Sequence, residues 1–232
     1  NHIKNHQIQV IHAHMFHTLI IGFLVKILNR NIKLIFTPHN SFKFMKIRRL
    51  ILWLLKPFRD FDTIFSQKSS RYFYKSSAVV IPNGVDVNLY HNRSVQKKST
   101  PFVFIIVGRL ENMKNHKFLI DLVNELNDYD FKLKIVGTGI LEKPLKSYVS
   151  ELNLNGKIEF LGARADVPKL LSQSNCLLLP SLWEAFPIVV LEAAATNIPV
   201  IATPVGSLPS LLGNQEGYLV DLGQFKEAMI EV

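Results

Sequence analysis

Residues 102–139 decide the fold: Phe102-Val-Phe-Ile-Ile-Val107-Gly108-Arg109-Leu110, then a polar loop and a helical stretch, then Phe131-Lys-Leu-Lys-Ile-Val136-Gly137-Thr138-Gly139. Six apolar residues stopped by a glycine read as a buried strand. Lys117 to Leu126 reads as a helix, and Phe131 to Val136 as a second strand stopped by glycine. A strand, a crossover helix and another strand form one unit of a parallel sheet. The alternation continues outward. Leu141–Leu152 is predicted helix, Ile158–Leu161 strand, Val167–Ser172 helix, Cys176–Leu179 strand, Pro187–Thr196 helix and Val200–Ala202 strand. Gly108, Gly137, Gly162 and Pro180 each sit just past a strand, where sheets of this kind bind ligands.

Upstream the same pattern runs separately. Gln9–Ala13, Lys33–Thr37, Asp62–Ser66 and Ala78–Ile81 read as strands. Thr18–Leu28 and Phe42–Leu55 read as helices, the latter ended by Pro57. Pro82-Asn83-Gly84 is a turn signal, and the polar stretch 92–100 (NRSVQKKST) is the linker candidate. The expected architecture is therefore α/β with two Rossmann-like domains, residues 1–97 and 98–232.

Charge divides the chain in the same way. Residues 1–100 carry 16 Lys/Arg against 3 Asp/Glu, whereas the remainder is net acidic within an overall charge of +9. At 48% hydrophobic and 19% charged, the 232 residues can bury cores. One cysteine, Cys176, excludes a disulfide framework. No apolar run approaches the roughly 18–20 residues that span a bilayer. The chain opens on Asn1 and closes at Val232 inside a helical pattern, so both termini are expected to be clipped.

Two segments carry chemistry. In Ser181-Leu-Trp-Glu184-Ala-Phe186-Pro187-Ile-Val-Val-Leu-Glu192-Ala-Ala-Ala, two glutamates lie eight apart, the second on an otherwise apolar helix. A carboxylate there is costly unless it is paired or faces a ligand. In Gly108-Arg109-Leu-Glu-Asn-Met-Lys114-Asn115, a strand runs into glycine with two cations following, a pattern suited to phosphate. On spacing alone, each segment also fits a bland reading: a helix N-terminal acid plus a salt-bridged core acid in the first, two solvated cations in the second.

Together with Pro199-Val-Ile-Ala-Thr203, these segments resemble the donor half of glycosyltransferase family 4. Ile81-Pro-Asn-Gly-Val-Asp86, Val136–Gly139, Phe160–Arg164, Ile11-His-Ala-His14 and Thr37-Pro-His39-Asn40 extend the likeness along nearly the whole chain. The resemblance implies the GT-B fold, two Rossmann-like domains with parallel sheets facing across a cleft, with the donor site in residues 98–232 and the acceptor side in 1–97. It implies transfer of a sugar from a UDP- or GDP-sugar, with retention and with no required cofactor or metal, to a glycan or lipid-linked acceptor in bacterial cell-surface polysaccharide or lipopolysaccharide synthesis. Arg109 and Lys114 match the pair that neutralises the donor diphosphate. Glu192 matches the acceptor of the ribose hydroxyls, and Glu184 the acid beside the transferred sugar. Main chain after Phe186, with the helix starting at Pro187, matches the sugar and phosphate contacts. Gly137, Gly139 and Arg164 match nucleotide-facing loops. His39, and more weakly His14, match the cleft near the reacting sugar.

The likeness has gaps. Asn197-Ile198 replaces a usual glycine, and Gly206-Ser207 with Ser210 replaces a glycine pair and following acid. The family's N-terminal glycine-rich loop has no counterpart, so the N-terminal domain is expected to be incomplete. A truncated remnant that binds nucleotide only therefore stays open as an alternative. A nucleic-acid module is disfavoured by the acidic second half and the lack of a basic–aromatic stripe. A GT-B phosphorylase would need a cofactor-binding lysine context that is absent.

Asp60-Phe61-Asp62 is a DxD, a pattern that holds metal in another glycosyltransferase fold; here it follows a helix broken by Pro57 and is not assigned a metal. Residues 43–59 mix cations with bulky apolar side chains. They fit either a half-buried basic helix or contact with an anionic membrane, and hence a cytoplasmic protein held peripherally on the inner face of the cytoplasmic membrane.

Overall fold

A computed structural model describes residues 6–38, 46–65, 77–91, 101–213 and 217–232. The linker candidate 92–100 and His39 lie outside these residues. The chain divides into two compact units, Asn1–Asn83 and Gly84–Val232.

The first unit is a four-stranded parallel sheet in the order β1 (Val10–His14), β2 (Lys33–Thr37), β3 (Phe61–Ile64), β4 (Val79–Val80). Helix α1 (Met15–Leu28) follows β1 directly, through Met15 at φ 75°, and helix α2 (Lys46–Leu54) precedes β3. Ala13, Phe16, Leu19, Leu34, Phe36, Leu52, Leu55 and Ile64 form the core. The DxD is occupied by side-chain pairings. Asp60 is ion-paired with Lys26, and its carboxylate accepts the Leu34 N–H at 2.7 Å, tying α1 to the starts of β2 and β3. Burial pulls that carboxyl up, but the Lys26 bond and the Leu34 N–H outweigh it and hold it below its ordinary value. Asp62 is buried 3.4 Å from the Arg59 guanidinium, which also lies over the Phe36 ring.

The second unit begins with α3 (Asn88–His91), which packs on the helices of this unit, so the units part some way before the 97/98 division expected from the polar stretch. Its elements continue as β5 (Phe102–Val107), α4 (His116–Glu125), β6 (Phe131–Val136), α5 (Glu142–Glu151) and β7 (Ile158–Gly162). There follow α6 (Val167–Ser172), β8 (Cys176–Leu179), α7 (Ile188–Ala195), β9 (Val200–Ala202), α8 (Leu208–Leu212), β10 (Gly217–Leu219) and α9 (Phe225–Glu231). The six strands are parallel in the order β7-β6-β5-β8-β9-β10. Alternation along each strand supplies two cores. Phe104 and Ile106 face Leu119, Ile120 and Val123 of α4, Val149 of α5 and Phe225 of α9. Ile105, Leu177 and Leu179 face Leu171 of α6, Val190 and Ala193 of α7, Leu208 of α8 and Tyr90 of α3. Cys176 is one of these core side chains; burial pushes its thiol up to about 12.

Candidate active site

The strand order of the second unit reverses between β5 and β8. In an open parallel sheet the crevice forms there, at the carboxyl ends of the strands. The loops that leave those two ends, 108–115 and 180–187, are joined to each other. Leu182 N–H donates to the Met113 carbonyl at 2.9 Å, and Lys114 Nζ reaches Glu184 Oε1 at 2.5 Å. Glycine at 108 makes room for this reach, since a Cβ there would lie 3.1 Å from Lys114 Cε. Asn115 then takes the left-handed conformation at φ 56°, which asparagine tolerates, and α4 begins.

Glu184 is buried, and its charge is met from several sides. Ser181 Oγ donates to the same Oε1 at 2.7 Å, and Thr203 Oγ1, beyond β9, donates to the Ser181 carbonyl at 2.5 Å. Gly206 closes the other side. A Cβ at 206 would lie 1.9 Å from the Glu184 carbonyl oxygen, and its φ of +59° itself favours glycine. Two loops thus meet through one carboxylate and one ammonium, and a third buttresses the backbone that carries Glu184, as a pre-formed polar site requires.

Two residues after Lys114, His116 is buried, and neither ring nitrogen has a hydrogen-bond partner among the described residues. Burial, with the Lys114 charge adding to it, lowers the imidazole to about 4, so it is neutral at ordinary pH.

The remaining predicted residues fall as follows. Arg109 follows Gly108 in the loop after β5; its side chain is 74% exposed and paired with Glu111 at 2.8 Å, so Glu184 meets Lys114 and not Arg109. Gly137 and Gly139 lie beneath the 108–110 loop. Side chains there would come within 2.0 Å of the Gly108 oxygen and 2.4 Å of the Leu110 oxygen, and Leu110 N–H donates to Thr138 O at 3.0 Å. Their visible work is to let two loops approach. Arg164, after β7, makes a two-pronged ion pair with Asp166, at 2.8 and 2.9 Å. Pro187 is buried at the start of α7, Phe186 is half-buried, and no side chain caps that helix N-terminus. Glu192, half-buried on α7, accepts the Tyr90 hydroxyl at 2.7 Å. In the first unit, His14 ends β1 with its ring 4.1 Å from that of His12, whose Nε2 lies 2.7 Å from Thr37 Oγ1.

Sequence reasoning missed Tyr90, Thr203 and His116. Ser181, three residues before Glu184, is a short-range signal that an acid partner was present. Tyr90 has none, because 102 residues separate it from Glu192.

Two Rossmann-like sheets, the second in the order that places a crevice between β5 and β8, define the GT-B class of α/β proteins. The chain belongs to the glycosyltransferases: the model of "Glycosyl transferases group 1" matches residues 90–232, and that of "Glycosyltransferase Family 4" matches residues 1–89. It is 33% identical over 171 residues to the Escherichia coli UDP-Gal:alpha-D-GlcNAc-diphosphoundecaprenol alpha-1,3-galactosyltransferase, covering 66% of this chain and 44% of that one. It is 28% identical over 175 residues to the N-acetyl-alpha-D-glucosaminyl L-malate synthase of Bacillus anthracis, covering 73% and 42%. These curated relatives are thus matched over less than half their length. The crystal structure of Anabaena Alr3699/HepE in complex with UDP and glucose superposes with a TM-score of 0.84 at 25% identity, over 98% of this chain and 68% of that one.

Proposed function

We propose that the protein transfers a sugar from a nucleotide sugar, with UDP the favoured nucleotide, to a glycan or lipid-linked acceptor in bacterial cell-surface polysaccharide synthesis, with retention of anomeric configuration. The observation that carries this is the Lys114–Glu184 junction at the reversal of strand order, with Arg109 in the same loop and Glu192 on the next helix. The E. coli relative uses UDP-Gal and a diphosphoundecaprenol-linked sugar, and the Anabaena structure holds UDP and glucose.

In this reading the second unit, Gly84–Val232, binds the donor and the first, Asn1–Asn83, the acceptor. Lys114 has three donors, so it can keep Glu184 while offering a proton to a diphosphate oxygen. Arg109 swings from Glu111 to the same diphosphate, a small cost for an exposed pair. The two cations stabilise the charge that grows as the nucleoside diphosphate departs. Glu184, held by Ser181 and Lys114, presents its remaining carboxylate oxygen to the sugar. Glu192 takes the ribose hydroxyls, and the free N–H groups at the start of α7 favour anionic groups. The acceptor hydroxyl attacks from the face that the diphosphate leaves, and its proton passes to a donor phosphate oxygen. No side-chain nucleophile, cofactor or metal takes part.

A lipid-linked acceptor places the enzyme on the cytoplasmic face of the membrane. Support comes from α2, where Ile47, Leu50, Trp53 and Leu54 are exposed at the spacing of one helix face, next to exposed Lys46 and Arg49. Among the described residues no helix is long and apolar enough to cross a membrane. Co-sedimentation with anionic phosphatidylglycerol vesicles but not with phosphatidylcholine vesicles, lost in Trp53→Glu, is expected; equal partition with both would contradict the contact.

The transfer itself is tested with labelled UDP- and GDP-sugars and undecaprenyl-diphosphate-linked acceptors. Arg109→Ala combined with Lys114→Ala should cut transfer by about 10²-fold or more. Undiminished transfer by that variant would refute the role of the pair.

A further inference from the structure

Glu192 is the acid on α7 that meets the ribose in the reading above, yet a glutamate side chain is flexible. Fixing it costs rotamer entropy. A ribose presents two neighbouring hydroxyls, so the carboxylate must be held at one rotation to accept both. α7 is otherwise apolar (IVVLEAAA) and offers no polar neighbour to do this.

The neighbour comes from α3. Its Tyr90 ring is buried in the cluster with Leu170, Leu171, Val189 and Val190, so packing fixes the ring. α3 packs against both α6 and α7. From that fixed ring the hydroxyl donates to Glu192 Oε1 at 2.7 Å, across 102 residues of sequence. The bond uses one lone pair of one oxygen. Among the described residues the second lone pair and Oε2 have no other side-chain partner, so they stay available to a ligand. A buried ring with its hydroxyl at the carboxylate is a support for a binding acid, the arrangement that keeps a polar site in register.

We propose that Tyr90 is a positioning residue for the nucleotide site: it orients the Glu192 carboxylate toward a vicinal diol. This rests on the reading of Glu192 as the acceptor of the ribose hydroxyls. Tyr90 reaches the ligand only through Glu192, so its effect belongs to the diol and not to the base or the phosphates.

Tyr90→Phe keeps the packed ring and removes only the hydroxyl. Calorimetric titration of the whole chain with UDP and GDP identifies the nucleotide bound. That nucleotide and its 2′,3′-dideoxy analogue are then titrated into the unsubstituted protein, Tyr90→Phe and Glu192→Ala, with melting temperatures recorded for each. Tyr90→Phe is expected to weaken the ribonucleotide about 3- to 10-fold while leaving the dideoxy analogue within about twofold of the unsubstituted protein. Glu192→Ala is expected to lose at least as much on the ribonucleotide. An equal loss on both nucleotides would mean that Tyr90 only supports the fold locally, and would overturn the inference. So would an unchanged ribonucleotide affinity in Tyr90→Phe when Glu192→Ala loses affinity. Unchanged affinity in Glu192→Ala, or no binding of either nucleotide, would overturn the reading of the site itself, and the inference with it.

Discussion

Removing Lys114 tests whether the junction between the loops after β5 and β8 is held electrostatically. In Lys114→Ala the Glu184 carboxylate stays buried and, among the described residues, keeps only Ser181 as a side-chain donor. Deleting one partner of a fully buried pair costs about 3–5 kcal/mol. The side chains here are 14% and 6% exposed and Ser181 remains, so the cost should be smaller, about 2–4 kcal/mol. For a chain of this size each kcal/mol moves the melting temperature by about 2–4 °C, giving a fall of about 4–16 °C. Scanning fluorimetry reads this directly. Lys114→Met with Glu184→Gln removes both charges, so the double variant should be less destabilised than the two single losses added. A single variant that melts within about 2 °C of the parent, or strict additivity in the double, would refute the claim that the pair holds the loops together.

The other expectations follow from neighbouring residues. His116 sits at about 4 in the folded protein against 6.5 when unfolded, so acid protonates the unfolded chain first; stability is whole above 6.5 and is lost as pH falls toward 4. At about pH 5 this group alone should remove about 2 kcal/mol relative to neutral pH, a loss that denaturant titration should find missing in His116→Phe. Gly206→Ala forces a Cβ to within 1.9 Å of the Glu184 backbone at positive φ and should destabilise by about 2 kcal/mol or more. Gly156→Ala meets no atom within 4 Å and should stay within about 0.5 kcal/mol, so equal melting of the two would contradict the close approach.

The second unit was largely legible in the sequence because its strands are buried on both faces. Phe102–Val107 and Cys176–Leu179 are wholly apolar, Phe131–Val136 interrupts its apolar run only with Lys132 and Lys134, and all three end at glycine or proline, so their predicted bounds match. α8 and β10 escaped because their runs are short and interrupted by Pro209 and Gly213, whereas the helical pattern read at Val232 is α9. In the first unit α1 starts at Met15, three residues before the predicted Thr18, because Met15 itself takes the positive-φ turn out of β1. Site residues separated from their partners by a handful of positions could be read. The Lys114–Glu184 contact depends on strand order, and the Tyr90–Glu192 contact on where α3 packs; neither leaves a local periodicity. The pairing of Asp60 with Lys26 is likewise a product of topology.

The most direct test of a nucleotide-sugar site in the second unit is scanning fluorimetry of the chain with UDP, GDP and ADP, in parallel with Glu192→Ala. A stabilising shift with UDP that disappears in the variant is expected. An equal shift in both proteins, or none with any nucleotide, would contradict the placement of the donor at the β5–β8 crevice.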